Sequence, residues 1–321
     1  MTIRILIVGT NFISDRLIEA ARAVDGVEPF AVYSRTRERG EAFAKKHALK
    51  KVYDNYDEAL SSPEIDAVYI ANPNFAHKET ALSAISAGKH VLCEKIITQN
   101  LADFLLLREQ ALAHGVVLLE AMRPDFDPST EVLKNALPRV GTLRRVALEY
   151  CQYSSRYDAF LRGEVQNAFD PTIGNSSLAD IGIYPLHLLI SLFGEPKGVR
   201  SLGVTLSNGF LGSGTVLADY SERGFLATVD FSKITESARP SVIEGELGSL
   251  LIDRVNATSR ITLCLRGCDP EIVYHNEIAN NMNYEIAAFR DMILGERSPL
   301  PYLEVTEQTM RTYDKITTIL S

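Results

Sequence analysis

The sequence predicts an α/β chain with an N-terminal doubly wound parallel sheet of the Rossmann type. A C-terminal α+β domain follows, with a large, mostly antiparallel open sheet. Three observations carry this. Continuous apolar runs at 5–8 and 65–71 suit strands buried on both faces. Segments of helical spacing separate such runs as far as residue 121. Beyond Arg123 the chain turns to period-two segments punctuated by glycine and proline, with few helical stretches between them.

Taken in order, the first strand is 5–8, and Ile13, Leu17, Ile18 and Ala21 mark the helix behind it. Residues 29–34 form the second strand, followed by a polar helix over 37–47. The third strand is 65–71, with a helix from about 75 to 87, and the fourth is 89–94. Leu101, Phe104, Leu105 and Leu112 then share a helix face, and a strand at 116–121 closes the series. Such alternation with short connections requires a parallel sheet covered on both faces, whose ligands bind beyond the carboxyl ends of the strands. The second part opens with a helix at 129–135, a strand at 143–150 and a helix at 178–193. Period-two segments follow at 199–206, 215–220, 225–231, 241–245, 249–252, 260–265 and 271–275, and helices at 282–294 and 303–320 end the chain. The domains are expected at 1–122 and 123–321.

Bulk properties exclude several function classes. A length of 321 residues exceeds one comfortable core, so two domains are expected. A net charge of −8 with no basic stripe speaks against nucleic acid as a partner. The N-terminal apolar run is too short for a signal peptide, and no segment reaches membrane length. Cys93, Cys151, Cys264 and Cys268 form no C-x-x-C pair, and no histidine stands at ligand spacing from the last two. A reducing cytoplasm and a site without metal are expected.

The turn after the first strand, Gly9-Thr10-Asn11-Phe12-Ile13-Ser14, stands where a dinucleotide-binding chain carries G-x-G-x-x-G. Gly9 keeps the tight turn. Asn11 tolerates left-handed angles, and Ser14 is small enough for helix packing and can cap the helix. The alternative is an ordinary strand–turn–helix unit with one glycine. At the end of the second strand, Ser34 and Arg35 occupy the place where an NAD site carries an acid. A hydroxyl and a guanidinium suit a 2′-phosphate, so NADP is expected, with NAD possible.

Beyond these features, "HVLCEKIITQNLADFLLL" (90–107) resembles the Gfo/Idh/MocA oxidoreductase family, whose members carry an E-K-P motif at this strand end. "YIANPNFAH" (69–77), "LLEAMRPDFDP" (118–128) and "NMNYEIAAF" (281–289) are similar to family segments too. So is "SSLADIGIYPLHLLISLFGEP" (176–196), whose Asp180 and Tyr184 match the branch containing dimeric dihydrodiol dehydrogenase. The proline of E-K-P is Ile96 here. The resemblance implies hydride transfer between a nicotinamide and a carbonyl or secondary alcohol of a sugar, cyclic polyol or related diol. It makes Lys95 the donor or polarising charge, Tyr184 the acid or base, and Asp180 an orienting group for Lys95 or a substrate hydroxyl. Asn72, Pro73, Asn74, His77 and Glu94 would line the cofactor together with Lys95. Asp180, Tyr184 and His187 stand at i, i+4 and i+7, so a regular helix puts them on one face, and Pro185 can kink that helix. His187 reads as structural amid leucines. A homodimer or higher homo-oligomer through the C-terminal sheet is also implied. A catalytically silent dinucleotide sensor on the same fold is the alternative.

Overall fold

The computed structural model describes residues 2–164 and 167–320. Its first sheet has six strands: β1 (Ile3–Val8), β2 (Val27–Tyr33), β3 (Lys51–Tyr53), β4 (Ala67–Ile70), β5 (His90–Glu94) and β6 (Leu118–Ala121). They pair in parallel in the order β3-β2-β1-β4-β5-β6. The helices between them are α1 (Phe12–Ala21), α2 (Arg37–His47), α3 (Tyr56–Ser61), α4 (His77–Ser86) and α5 (Leu101–His114). Every residue of β4 is buried, as a central strand covered on both faces requires. The strand order reverses between β1 and β4, which places the loops after these two strands side by side. The sequence reading missed β3 and α3. The three residues of β3 are too few to show a period, and α3 buries only Ala59 and Leu60.

The reversal point depends on one glycine. Gly9 has φ +109, and a Cβ there would stand 2.7 Å from the carbonyl oxygen of Ala71. Only a residue without a side chain permits both the backbone angle and the approach.

The second sheet has eight strands: β7 (Leu143–Cys151), β8 (Gly198–Thr205), β9 (Leu211–Tyr220), β10 (Phe225–Ser232), β11 (Ser241–Gly245), β12 (Gly248–Ile252), β13 (Arg260–Leu265) and β14 (Glu271–His275). Their order is β14-β13-β12-β11-β7-β10-β9-β8. All neighbours are antiparallel except β7 and β10, which run parallel. Helices α6 (Pro128–Ala136), α7 (Tyr157–Leu161) and α8 (Ile183–Phe193) belong with this sheet, and α8 packs on β7 and β10. The expected helix over 178–193 is not regular, because Leu178–Gly182 forms a π-turn ahead of α8. Pro185 has no N–H for the carbonyl of Ile181, its partner four residues back, so the α-helical ladder cannot continue through that turn. Gly182 lets the wide turn sit against Phe231, since a Cβ would come within 2.8 Å of that ring.

Two late helices, α9 (Met282–Ile293) and α10 (Leu300–Leu320), follow. Helix α9 packs on α1. The chain therefore divides into one unit of Met1–Arg123 with Asn280–Glu304 and another of Pro124–Ala279 with Val305–Ser321. A single cut at 122/123 misses the return of α9, since a distant helix that completes a sheet's cover leaves no signal at the boundary.

Gly9→Ala is expected to cost about 1–3 kcal/mol, the range for overpacking a tight site, and Asn11→Ala about 1 kcal/mol as a lost helix cap. Urea unfolding monitored by circular dichroism checks both values and their order.

Candidate active site

The degraded glycine loop is rebuilt by side-chain hydrogen bonds. Asn11 is extended, with φ −100 and ψ 177, and not left-handed as the sequence suggested. It caps α1. Its Oδ1 accepts from the Ser14 N–H at 3.2 Å and the Ser14 hydroxyl at 3.3 Å, while its Nδ2 donates to the Ala71 carbonyl at 2.7 Å. Ser14 is thus the receiving partner of the cap, wholly buried, and the expected capping role passes to Asn11. Thr10 and Ile13 are half-buried and Phe12 is exposed. Asp15 in the first turn of α1 pairs with His47 Nε2 at 2.6 Å and Lys46 Nζ at 2.8 Å, which ties α1 to the end of α2.

At the end of β2, Ser34 is buried and its N–H donates to the Tyr53 carbonyl at 3.0 Å. Arg35 and Arg39 are exposed. Arg37 is drawn aside by Glu41 at 3.1 Å and Asp54 at 3.9 Å.

Lys95 stands on a turn braced from beneath by three polar groups. The peptide joining Lys95 to Ile96 is cis. The Ile97 N–H donates to Glu120 Oε1 at 3.0 Å, and Glu120 is buried. His77 is wholly buried, with Nδ1 2.8 Å from the Ile96 carbonyl and Nε2 2.9 Å from the Asn72 carbonyl. Burial holds its pKa below the ordinary histidine value despite these two oxygens, so the ring is neutral and donates to one of them at a time. His77 stands first in α4 and fastens the Lys95 turn to the Asn72 loop. Asn72, half-buried, donates through Nδ2 to Thr80 Oγ1 at 2.8 Å; Pro73 is exposed and Asn74 half-buried at the start of the short turn before α4.

Glu94 is turned inward as well. It is buried, accepts from the hydroxyl of wholly buried Tyr69 at 2.6 Å and takes the Lys95 N–H as well. Burial raises its pKa, against the pull of Tyr69, Lys95 and Arg123. Glu285 of α9 is wholly buried among the same groups, and neither of its carboxylate oxygens has a hydrogen-bond partner among the described residues. Burial, and then the charge of Glu94, push Glu285 well above the carboxylate range, with Arg123 and Arg16 opposing. Two buried carboxyls that feel one another disfavour ionising together, and burial favours the neutral form of Glu285. Tyr69, Glu120 and Glu285 all lie in segments the sequence reading had singled out, without a role assigned to them.

In the second unit, Asp180 leaves the π-turn with its side chain 40% exposed, and its Oδ2 is 2.7 Å from Lys233 Nζ. Tyr184 is buried at the start of α8, its ring 5.9 Å from that of Tyr150. His187 is wholly buried, with Nε2 2.7 Å from Asp125 Oδ2 and Nδ1 3.3 Å from the Thr309 hydroxyl, a packing role in keeping with its leucine-rich surroundings. Lys233 was missed. It follows β10 in "VDFSKITES", a stretch with no motif.

A parallel sheet whose order reverses at a glycine turn, with a capped helix after the turn and a lysine at the end of β5, defines a dinucleotide-binding Rossmann unit; the second unit places it in the class of two-domain proteins built on that fold. Residues 3–121 match the Gfo/Idh/MocA family, described as an oxidoreductase family with an NAD-binding Rossmann fold. The scyllo-inositol 2-dehydrogenase (NADP(+)) IolU of Bacillus subtilis strain 168 is 43% identical over 291 residues, 91% of this chain and 88% of that protein. The trans-1,2-dihydrobenzene-1,2-diol dehydrogenase of Bos taurus is 31% identical over 194 residues, 59% of this chain and 56% of the relative. A 3-ketoreductase from Actinomadura kijaniata, KijD10, solved with NADP and TDP-benzene, superposes with a TM-score of 0.87 over 100% of this chain and 98% of its own, at 21% identity. The chain belongs to the Gfo/Idh/MocA oxidoreductase family. The expected family, fold and enzyme class are borne out.

The Glu285 proton yields a stability prediction. A carboxyl whose pKa is raised by folding stabilises the folded chain fully below its unfolded value of about 4.3, and that contribution is lost as pH rises through the folded value. Glu285→Gln, which cannot ionise, is expected to match the parent protein near pH 4 and to melt at a higher temperature than the parent as pH rises above the unfolded value. Thermal unfolding across that range checks it; parallel curves would refute the buried proton.

Proposed function

We propose that the protein transfers hydride between NADP and a secondary alcohol or carbonyl of a cyclic polyol, a sugar or a related diol, with an inositol as the leading candidate. The observation that carries this reading is the 43% identity, over 91% of the chain, to an NADP-dependent scyllo-inositol dehydrogenase. The first unit's own residues fit the cofactor. Gly9 leaves a backbone cradle that a Cβ would fill, the capped start of α1 follows it, and exposed Arg35 beside Ser34 suits a 2′-phosphate.

The bound nicotinamide supplies or accepts the hydride. Lys95, Asp180 and Tyr184 do the rest in this reading. Lys95 holds positive charge at the substrate oxygen, where negative charge grows during reduction. Tyr184 gives that oxygen its proton, and takes it back in the oxidative direction. Asp180 orients a substrate hydroxyl or the lysine. Glu120, His77 and Glu94 keep the Lys95 turn in place, so the ammonium need not be positioned anew in each turnover.

The test follows NADPH absorbance with scyllo-inosose, other inososes, aldoses, ketoses and diketones. Turnover is expected with at least one cyclic polyol ketone. Lys95→Ala and Tyr184→Phe should each lower kcat by roughly 10²–10⁴-fold, the usual reach of acid–base catalysis, and Tyr184→Phe should leave NADPH affinity nearly unchanged. NADPH binding without turnover across the panel would return the sensor reading. Arg35→Asp should weaken NADPH by roughly 10- to 100-fold, as expected for a lost charge-assisted hydrogen bond, and leave NADH little altered. Equal weakening of the two would overturn the 2′-phosphate assignment.

We further propose a homo-oligomer assembled through the outward face of the second sheet, where Leu202 is 84% exposed and Val204, Leu217 and Leu226 are exposed as well. A cytoplasmic location is in keeping with four cysteines outside any disulfide. Sedimentation velocity is expected to show a dimer or larger species that Leu202→Asp shifts toward monomer; a parent protein monomeric at high concentration would refute it.

A further inference from the structure

The least expected cation in the second unit is Lys233. Its side chain is 6% exposed, although that of its partner Asp180 is 40% exposed. Its ammonium donates to Asp180 Oδ2 at 2.7 Å and to the Ala168 carbonyl at 2.8 Å. It also lies 5.0 Å from the centre of the Phe169 ring and 5.4 Å from that of Phe210. Both rings are wholly buried, and Phe169 is stacked in turn by Tyr157 and Phe160. Backbone hydrogen bonds hold the lysine on both sides, from its N–H to the Gly212 carbonyl and from the Ser154 N–H to its own carbonyl.

A buried ammonium is costly unless paired, and aromatic faces offset part of its desolvation. The cage therefore fixes the cation, and the cation fixes the carboxylate that reaches it. On the neighbouring π-turn, Asp180 stands one turn before Tyr184. A π-turn with its i→i+5 bonds departs from α-helical side-chain spacing, so the direction of a carboxylate on it is not set by helix geometry alone. Lys233 Nζ meets that carboxylate at 2.7 Å.

We propose that Lys233 is a positioning residue for the reaction: held in its aromatic cage, it orients Asp180 toward the substrate. The inference rests on Asp180 acting in catalysis. Lys233 itself is too deeply placed to meet a substrate and acts through the carboxylate alone.

Two double-mutant cycles on the full chain test it, with Lys233→Met, Asp180→Asn and the double variant, assayed by scyllo-inositol oxidation with NADP and by thermal unfolding of the unliganded protein. Lys233→Met is expected to lower kcat by roughly 10- to 100-fold, with NADP affinity unchanged, and Lys233→Arg to recover most of the loss. The double variant should be no slower than Asp180→Asn alone, because the lysine has nothing left to orient. The melting-temperature losses should likewise be non-additive, which reports the pair without any turnover. Kinetic losses that multiply in the double variant, or a folded Lys233→Met with the parent's kcat, would overturn the proposal. Should Lys233→Met not fold, Phe210→Leu, which opens the cage and keeps both charges, is expected to lower kcat a few-fold in the parent and not in Asp180→Asn; an unchanged kcat would overturn it. Failure of the underlying reading looks different, since Asp180→Asn and Tyr184→Phe would then both turn over like the parent.

Discussion

The carbonyl oxygen of Ala71 is the point on which the dinucleotide-binding unit turns. Gly9 presses against it closely enough that no Cβ could intervene, and the Asn11 amide donates to it across the same gap. Two adjacent strands and one helix start are registered by a single acceptor at the end of β4. Two of the motif's three glycines are missing, yet the loop keeps its shape because a side-chain amide does what a second glycine does elsewhere. It anchors the turn by a hydrogen bond where a glycine would merely allow it.

A common construction runs through two of the three candidate catalytic groups. Lys95 is half-exposed, but its turn is fastened by Glu120, His77 and the Glu94–Tyr69 pair, all buried. Asp180 is 40% exposed, but its partner Lys233 is enclosed by Phe169 and Phe210. In each case a reactive group at the surface is held by polar residues set deep in the fold. Buried charges are expensive when broken and contribute little net stability when kept. Their use here makes sense as orientation.

Much of the fold was legible because its strands are apolar runs and its turns carry glycine. Helix α2 and strands β11, β13 and β14 fall where the spacing predicted them. The elements that escaped are short or weakly apolar, as β3 and α3 are. The site was legible by residue type and less so by depth. A sequence shows that His77 and Glu94 accompany Lys95, but it does not show that both lie beneath the turn, facing inward. It offers Asn11 and Ser14 as loop residues, and only the backbone angle at Asn11 decides which one caps. Lys233 left no trace, because a lysine after a strand is most often a solvated one, and the aromatic residues that enclose it come from two separate loops.

The discontinuity of the first unit has a consequence for biosynthesis. Helix α9 covers α1, the Asn280 side chain donates to the Arg16 carbonyl, and the Arg290 guanidinium donates to the Asp25 carbonyl. During translation, the nucleotide-holding half therefore waits, with one flank uncovered, until the whole of the intervening sheet has left the ribosome. A chain released early, anywhere before residue 280, lacks the piece that seals its oldest part. Truncated products would then display the bare side of α1, and only synthesis through α9 closes that flank.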